Sequence, residues 1–202
     1  MKNYSQGLVF QKRSIGEGYS VTGLGVCRDT DIRIPPFTPE GEPVTAIGQC
    51  AFYGKDHITS VTIPEGVEQI DVYAFMRCYS LASVTLPESL EAIYPSAFCQ
   101  CKSLKRVILP KRLDFAGRQS FYECTSLTEV LIPEGVTSLG DEAFKKCVSL
   151  EHVEIPSTLL YMGSFVFDSV PHLSIRCNLY YRPEGWDEDW NSDKRRVDWK
   201  KA

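Results

Sequence analysis

Phenylalanine recurs every 23 residues along most of this chain, at Phe52, Phe75, Phe98, Phe121, Phe144 and Phe167. Ala51, Ala74, Ala97, Ser120, Ala143 and Val166 stand just before it, and Cys78, Cys101, Cys124 and Cys147 follow it by three positions. Leu81, Leu104, Leu127, Leu150 and Leu173 follow by six, and Pro64, Pro87, Pro110, Pro133 and Pro156 complete the unit. A segment this short cannot bury its apolar side chains alone. The period therefore predicts a solenoid, whose units stack and share one continuous core.

The unit TSVTIPEGVEQIDVYAFMRCYSL, starting at Thr59, shows the local logic. Val61, Thr62 and Ile63 alternate as a half-buried strand does, and Pro64 ends the strand because it has no amide to donate. Val67 and Ile70 form a second inward pair. Ala74, Phe75 and Cys78 share one side of a short turn or 3₁₀ segment, and Leu81 closes the unit. Regular units begin near Thr59, Ala82, Lys105, Thr128 and Glu151. An irregular coil precedes them, with Val44, Ile47, Ala51 and Phe52 already in phase and FTPEGEP looping outward.

The motif L..V.IPEGV..I...AF..C..L resembles the BspA-like branch of the leucine-rich repeats, most closely in TSVTIPEGVEQIDVYAFMRCYSL and TEVLIPEGVTSLGDEAFKKCVSL. The flanks YSVTGLGVCRDTDIRIP and RPEGWDEDWN are similar to segments that border these repeats, so the resemblance spans residues 7–191. It departs from the pattern at Leu113, Ala116 and Ser120, and at Val170, which replaces Cys. The implied fold is a β-rich solenoid, a right-handed superhelix of short parallel strands with turns and 3₁₀ or short helical segments, capped at both ends.

Residues 1–35 read as an N-terminal capping hairpin, with strands over Leu8 to Gln11, Tyr19 to Val26 and Ile32 to Ile34. Residues 36–173 form the solenoid, of one irregular and five regular coils, and residues 174–202 a C-terminal cap and basic tail, all in one structural domain. Trp186, Trp190 and Trp199 fall in that last segment. They read as rings covering the open end of the core, with a sugar platform at WDEDW as the alternative. The terminal DKRRVDWKKA reads as a solvated charge run.

A net charge of -4 gives no reason to expect nucleic acid or an acidic membrane as partner. No stretch has the length of a membrane span. MKNYSQGLVFQKR lacks a secretory apolar core, which points to the cytoplasm, whereas the resemblance points to secretion or the cell surface. The four in-phase cysteines read as a column of buried, reduced thiols, since side chains pointing the same way do not meet the geometry of a disulfide. The spacing of Cys99 and Cys101, with no histidine nearby, argues against zinc.

No nucleophile, metalloprotease, phosphate-loop or dinucleotide motif is present. His57, His152 and His172 lie on different units, and Asn3, Tyr4 and Ser5 make only a terminal glycosylation triplet. The chain reads as non-enzymatic, without cofactor or metal. What remains is the face the strands display. Phase puts Asp31, Ser60, Ser83, Arg106, Glu129 and His152 in one outward column, and Arg33, Thr62, Thr85, Ile108, Leu131 and Glu154 in the other.

Ile108 and Leu131, framed by Arg106, Glu129, His152 and Glu154, have the composition of a small interaction hot spot. Lys105, Lys111, Arg112 and Arg118 read as a basic patch beside it, suited to an acidic-rimmed partner. Six or seven strands at about 4.8 Å give a flat or gently curved face with no enclosed cavity, matched to a macromolecule. The expectation is a monomeric protein-interaction module. The resemblance implies adhesion or surface recognition, including of host matrix proteins. Carbohydrate binding through the tryptophans and a structural assembly unit are the alternatives.

Overall fold

In the computed structural model, residues 4–201 are described; Asn3, and with it the glycosylation triplet, lies outside them. Each coil contributes one strand to each of two sheets. The front sheet runs β3 (Asp31–Arg33), β5 (Ser60–Thr62), β7 (Ser83–Thr85), β9 (Arg106–Ile108), β11 (Glu129–Leu131), β13 (His152–Ile155), β15 (Ser174–Cys177) and β16 (Val197–Trp199). The back sheet runs β1 (Val9–Lys12), β2 (Tyr19–Gly23), β4 (Val44–Ile47), β6 (Gln69–Ile70), β8 (Ala92–Ile93), β10 (Phe115–Ala116), β12 (Ser138–Leu139) and β14 (Tyr161–Met162). All pairings between these strands are parallel except that of β1 with β2.

The 23-residue period is the register of both sheets: Val61 pairs with Val84, and Ile70 with Ile93. Central residues of the front strands face inward, so Val61, Val107, Val130 and Val153 are buried. The pair Val67 and Ile70 marks the approach to the back sheet, whose strands are too short for period-two alternation to reveal them.

The third side of each coil carries no helix. Its amides alternate instead between two directions. Ala74, Met76 and Cys78 donate to carbonyls three residues back, while Tyr73, Phe75 and Arg77 donate to Pro95, Ala97 and Cys99 of the next coil at 3.2, 2.7 and 2.9 Å. Left-handed φ angles of 61° at both Tyr73 and Arg77 set this zigzag and exclude a continuous helix. The phenylalanine rings stack inside, with neighbouring centroids 5.0 to 5.7 Å apart and planes within 9° of parallel.

The PEG motif acts between coils. Glu134 accepts the amides of Ser157 and Thr158 at 2.9 and 3.2 Å, and Glu65 accepts those of Glu88 and Ser89 at 3.0 and 3.2 Å. Each carboxylate thus caps the turn of the following coil.

The ends differ from expectation in three places. β2 stops at Gly23, leaving Val26 exposed, and the β1–β2 hairpin closes the back sheet alone, while β3 opens the front one. The front sheet runs past residue 173 with a one-residue shift, His152 pairing with Ser174. The basic tail keeps Lys194, Arg196, Lys200 and Lys201 exposed, but it is ordered as well: Val197–Trp199 forms β16 on β15, because Val197 and Trp199 pack against the core.

Trp186 and Trp190 are buried, with centroids 5.0 Å apart, and the Trp186 indole donates to the Leu159 carbonyl at 3.1 Å. Trp199 is half-buried, 6.0 Å from Trp186. These rings close the core, so they form no exposed sugar platform.

Candidate functional site

The register places the first outward column as phase required, in the pairs Asp31–Ser60, Ser60–Ser83, Ser83–Arg106, Arg106–Glu129 and Glu129–His152, and the second in the pairs Arg33–Thr62, Thr62–Thr85 and Ile108–Leu131. Ile108 and Leu131 are direct neighbours and stand 50% and 42% exposed, large values for aliphatic side chains with buried valines beside them in each strand. The Arg106 guanidinium meets the Glu129 carboxylate at 2.9 Å.

Ile108, Glu129, Leu131, His152 and Glu154 line one open depression of about 470 Å³. Arg106 stands at its border and lines an adjoining depression of about 370 Å³ that shares Ile108. The face is therefore contoured by open depressions. The prolines shape it: Pro133 and Pro156 turn the chain away after β11 and β13 and leave a wall along the strand ends.

The basic patch expected beside the pair is dispersed. Lys105, Lys111, Arg112 and Arg118 lie along a single coil that passes from the front sheet to the back sheet, and none lines the depression. Arg112 pairs with Glu91 at 3.0 Å, ahead of the back strands β10 and β8. The charged lining is instead Glu129, Glu134, Glu151 and Glu154. Partial burial works against ionisation of Glu134, but hydrogen bonds from Ser157 and Thr158 outweigh it and hold this carboxyl below its usual range.

Glu134, Glu151, Asn178 and the two prolines escaped the sequence reading. Pro133, Glu134 and Pro156 come just after a front strand and Glu151 just before β13, so phase alone carries the signal for them. Asn178 does not repeat. It reaches the site because the shifted register pairs Glu154 with Arg176 and puts Asn178, two residues on, on the same face, where its Nδ2 donates to the Glu154 carboxylate at 3.0 Å.

Among the described residues, no group of three or more His, Cys, Asp or Glu side chains could hold a metal ion. No helix there is long and apolar enough to cross a membrane.

Six copies of the BspA type leucine rich repeat region match residues 45–174. The chain belongs to this leucine-rich repeat family. A T. pallidum leucine rich repeat protein is similar in structure over 91% of this chain and 84% of its own, with a TM-score of 0.82 and 27% identity. A leucine-rich repeat protein from Bacteroides capillosus matches 63% of this chain and 94% of its own, with a TM-score of 0.55 and 29% identity. A leucine rich cell surface protein from Faecalibacterium prausnitzii shares the fold over 88% of this chain and 54% of its own, with a TM-score of 0.63 and 24% identity. No curated protein matches the sequence.

Proposed function

We propose that this leucine-rich repeat protein is a non-catalytic protein-interaction module, of the adhesion or surface-recognition type, that docks a partner over β9, β11 and β13. The observation that carries this reading is the exposed pair Ile108 and Leu131, in register on the floor of an open depression with a charged rim. Apolar anchors surrounded by polar groups are where interfaces concentrate binding energy. A typical interface covers about 800 Å² per partner, so the turns beside the strands take part. Membership of the BspA-type family supports a role at a cell surface or on host matrix proteins.

The test is affinity capture from host and bacterial extracts with the native protein and with an Ile108→Asp, Leu131→Asp double variant, followed by binding of the purified partner. Both side chains are exposed, so the variant should keep the native melting temperature and bind at least about tenfold more weakly. A partner held equally well by both proteins would refute this location.

A further inference from the structure

The inference rests on the interaction reading above and concerns the chemistry of the partner. The depression presents hydrogen-bond acceptors. Thr128 donates its hydroxyl to the Lys105 carbonyl at 3.1 Å, and Asn178 Nδ2 is engaged by Glu154 at 3.0 Å. The Ser174 hydroxyl donates to the Glu151 carbonyl at 3.0 Å, so its lone pair must receive the proton on His152 Nδ1, also 3.0 Å away.

Four carboxylates stand around Ile108 and Leu131. One cation, Arg106, answers Glu129. Arg176 stands beside Glu154 in register but makes no ion pair with it among the described residues. Glu134, Glu151 and Glu154 are left without a cationic partner within ion-pair distance among those residues.

An aliphatic floor under a ring of acceptors matches one kind of side chain, an apolar stem with a cationic, donor-rich head. We propose that the depression receives an arginine from the partner protein, with its methylenes on Ile108 and Leu131 and its guanidinium on Glu151 and Glu154. Arginine fits better than lysine because its planar fork engages carboxylates in a bidentate manner and carries five donors. The stem covers apolar surface while the head stays at the wet rim.

The test is an NMR titration of the nitrogen-labelled protein with a blocked peptide of sequence Gly-Leu-Arg-Gly-Leu-Arg-Gly, and with its citrulline and lysine counterparts. The arginine peptide should shift the amides of Leu131, His152 and Glu154, with affinity falling as salt rises. Citrulline, isosteric but neutral, should bind at least tenfold more weakly, and lysine less tightly than arginine. A Glu151→Gln, Glu154→Gln variant should lose most of the shift.

Equal binding of the citrulline or lysine peptide, shifts confined to another surface, or no shift at all would overturn the proposal. So would a carboxamide variant that binds as well as the native protein. A partner that depends on Ile108 and Leu131 yet contacts them through an acidic or neutral segment would overturn only the arginine chemistry and leave the interaction reading standing.

Discussion

The thiol of Cys101 lies 3.2 Å from the carbonyl oxygen of Phe75 and donates to it across 26 positions of chain. The same carbonyl accepts the amide of Cys78 at 3.1 Å. Cys124 with Phe98, and Cys147 with Phe121, repeat the relationship at 3.2 Å. Each cysteine therefore fills a small space and also satisfies the second lone pair of a buried carbonyl in the preceding coil. Val170 fills the space in the last coil without the donor.

Removing ring and thiol should separate these two contributions. Phe121→Ala opens the stack and should cost about 3–5 kcal/mol. Cys124→Ala loses one hydrogen bond and a small volume, and should cost about 1–2 kcal/mol. Urea unfolding curves measure both. A melt unaffected by Phe121→Ala would mean that the aromatic ladder is not core.

Alkaline pH should unfold the protein through the same column. Burial pushes the Cys78 and Cys147 thiols up to about 12, and those of Cys101 and Cys124 upward as well. A raised thiol favours the protonated, folded form. Its contribution is complete below the unfolded value of about 9 and is lost as pH rises through the folded one. The melting temperature should fall beyond about pH 9, and Cys147→Val, which carries no ionisable group, should fall less steeply.

Thiol reagents should also see the fold. Cys50 is exposed, whereas the other cysteines are buried. Titration of the native protein should reveal one fast-reacting thiol, and denaturant should release the remaining seven of the eight. Several fast thiols under native conditions would contradict the burial of the column.

Ser120 takes the place of alanine in the repeat, and its hydroxyl is fully buried without a hydrogen-bond partner. An unsatisfied buried hydroxyl costs about 1–3 kcal/mol. Ser120→Ala should therefore stabilise the protein by about 1 kcal/mol, read as a higher urea midpoint. No gain would imply that the hydroxyl finds an acceptor.

Glu134 and Gly135 form one device. Gly135 has a φ of 114°, and a Cβ there would run into the Lys111 carbonyl, so Gly135→Ala should cost more than about 1 kcal/mol. Because the Glu134 carboxyl is held below its usual range, its contribution is present above the unfolded value and lost as pH falls through the folded one. Glu134→Gln should flatten the decline of the melting temperature on acidification.

Much of this architecture was legible in the chain. The period fixed the register, because coils of equal length stack residue upon residue, and phase then assigned the phenylalanine, cysteine and leucine columns to the core. It also assigned Ile108, Leu131, Arg106, Glu129, His152 and Glu154 to one face. Such inferences hold because a parallel pairing repeats one offset throughout.

Other features depended on how each coil bends in space. The two-residue back strands carry no readable alternation. Lys105 and Arg118 are near in sequence but fall on opposite sides of the core, so the basic patch expected beside the apolar pair is spread around the coil instead. Past residue 173 the offset shortens by one, and only the folded end could show Asn178 reaching Glu154, Trp186 and Trp190 turned inward, and the basic tail laid down as a strand. Periodicity determines which side chains are inside; contacts between segments that do not repeat are decided by the path of the backbone.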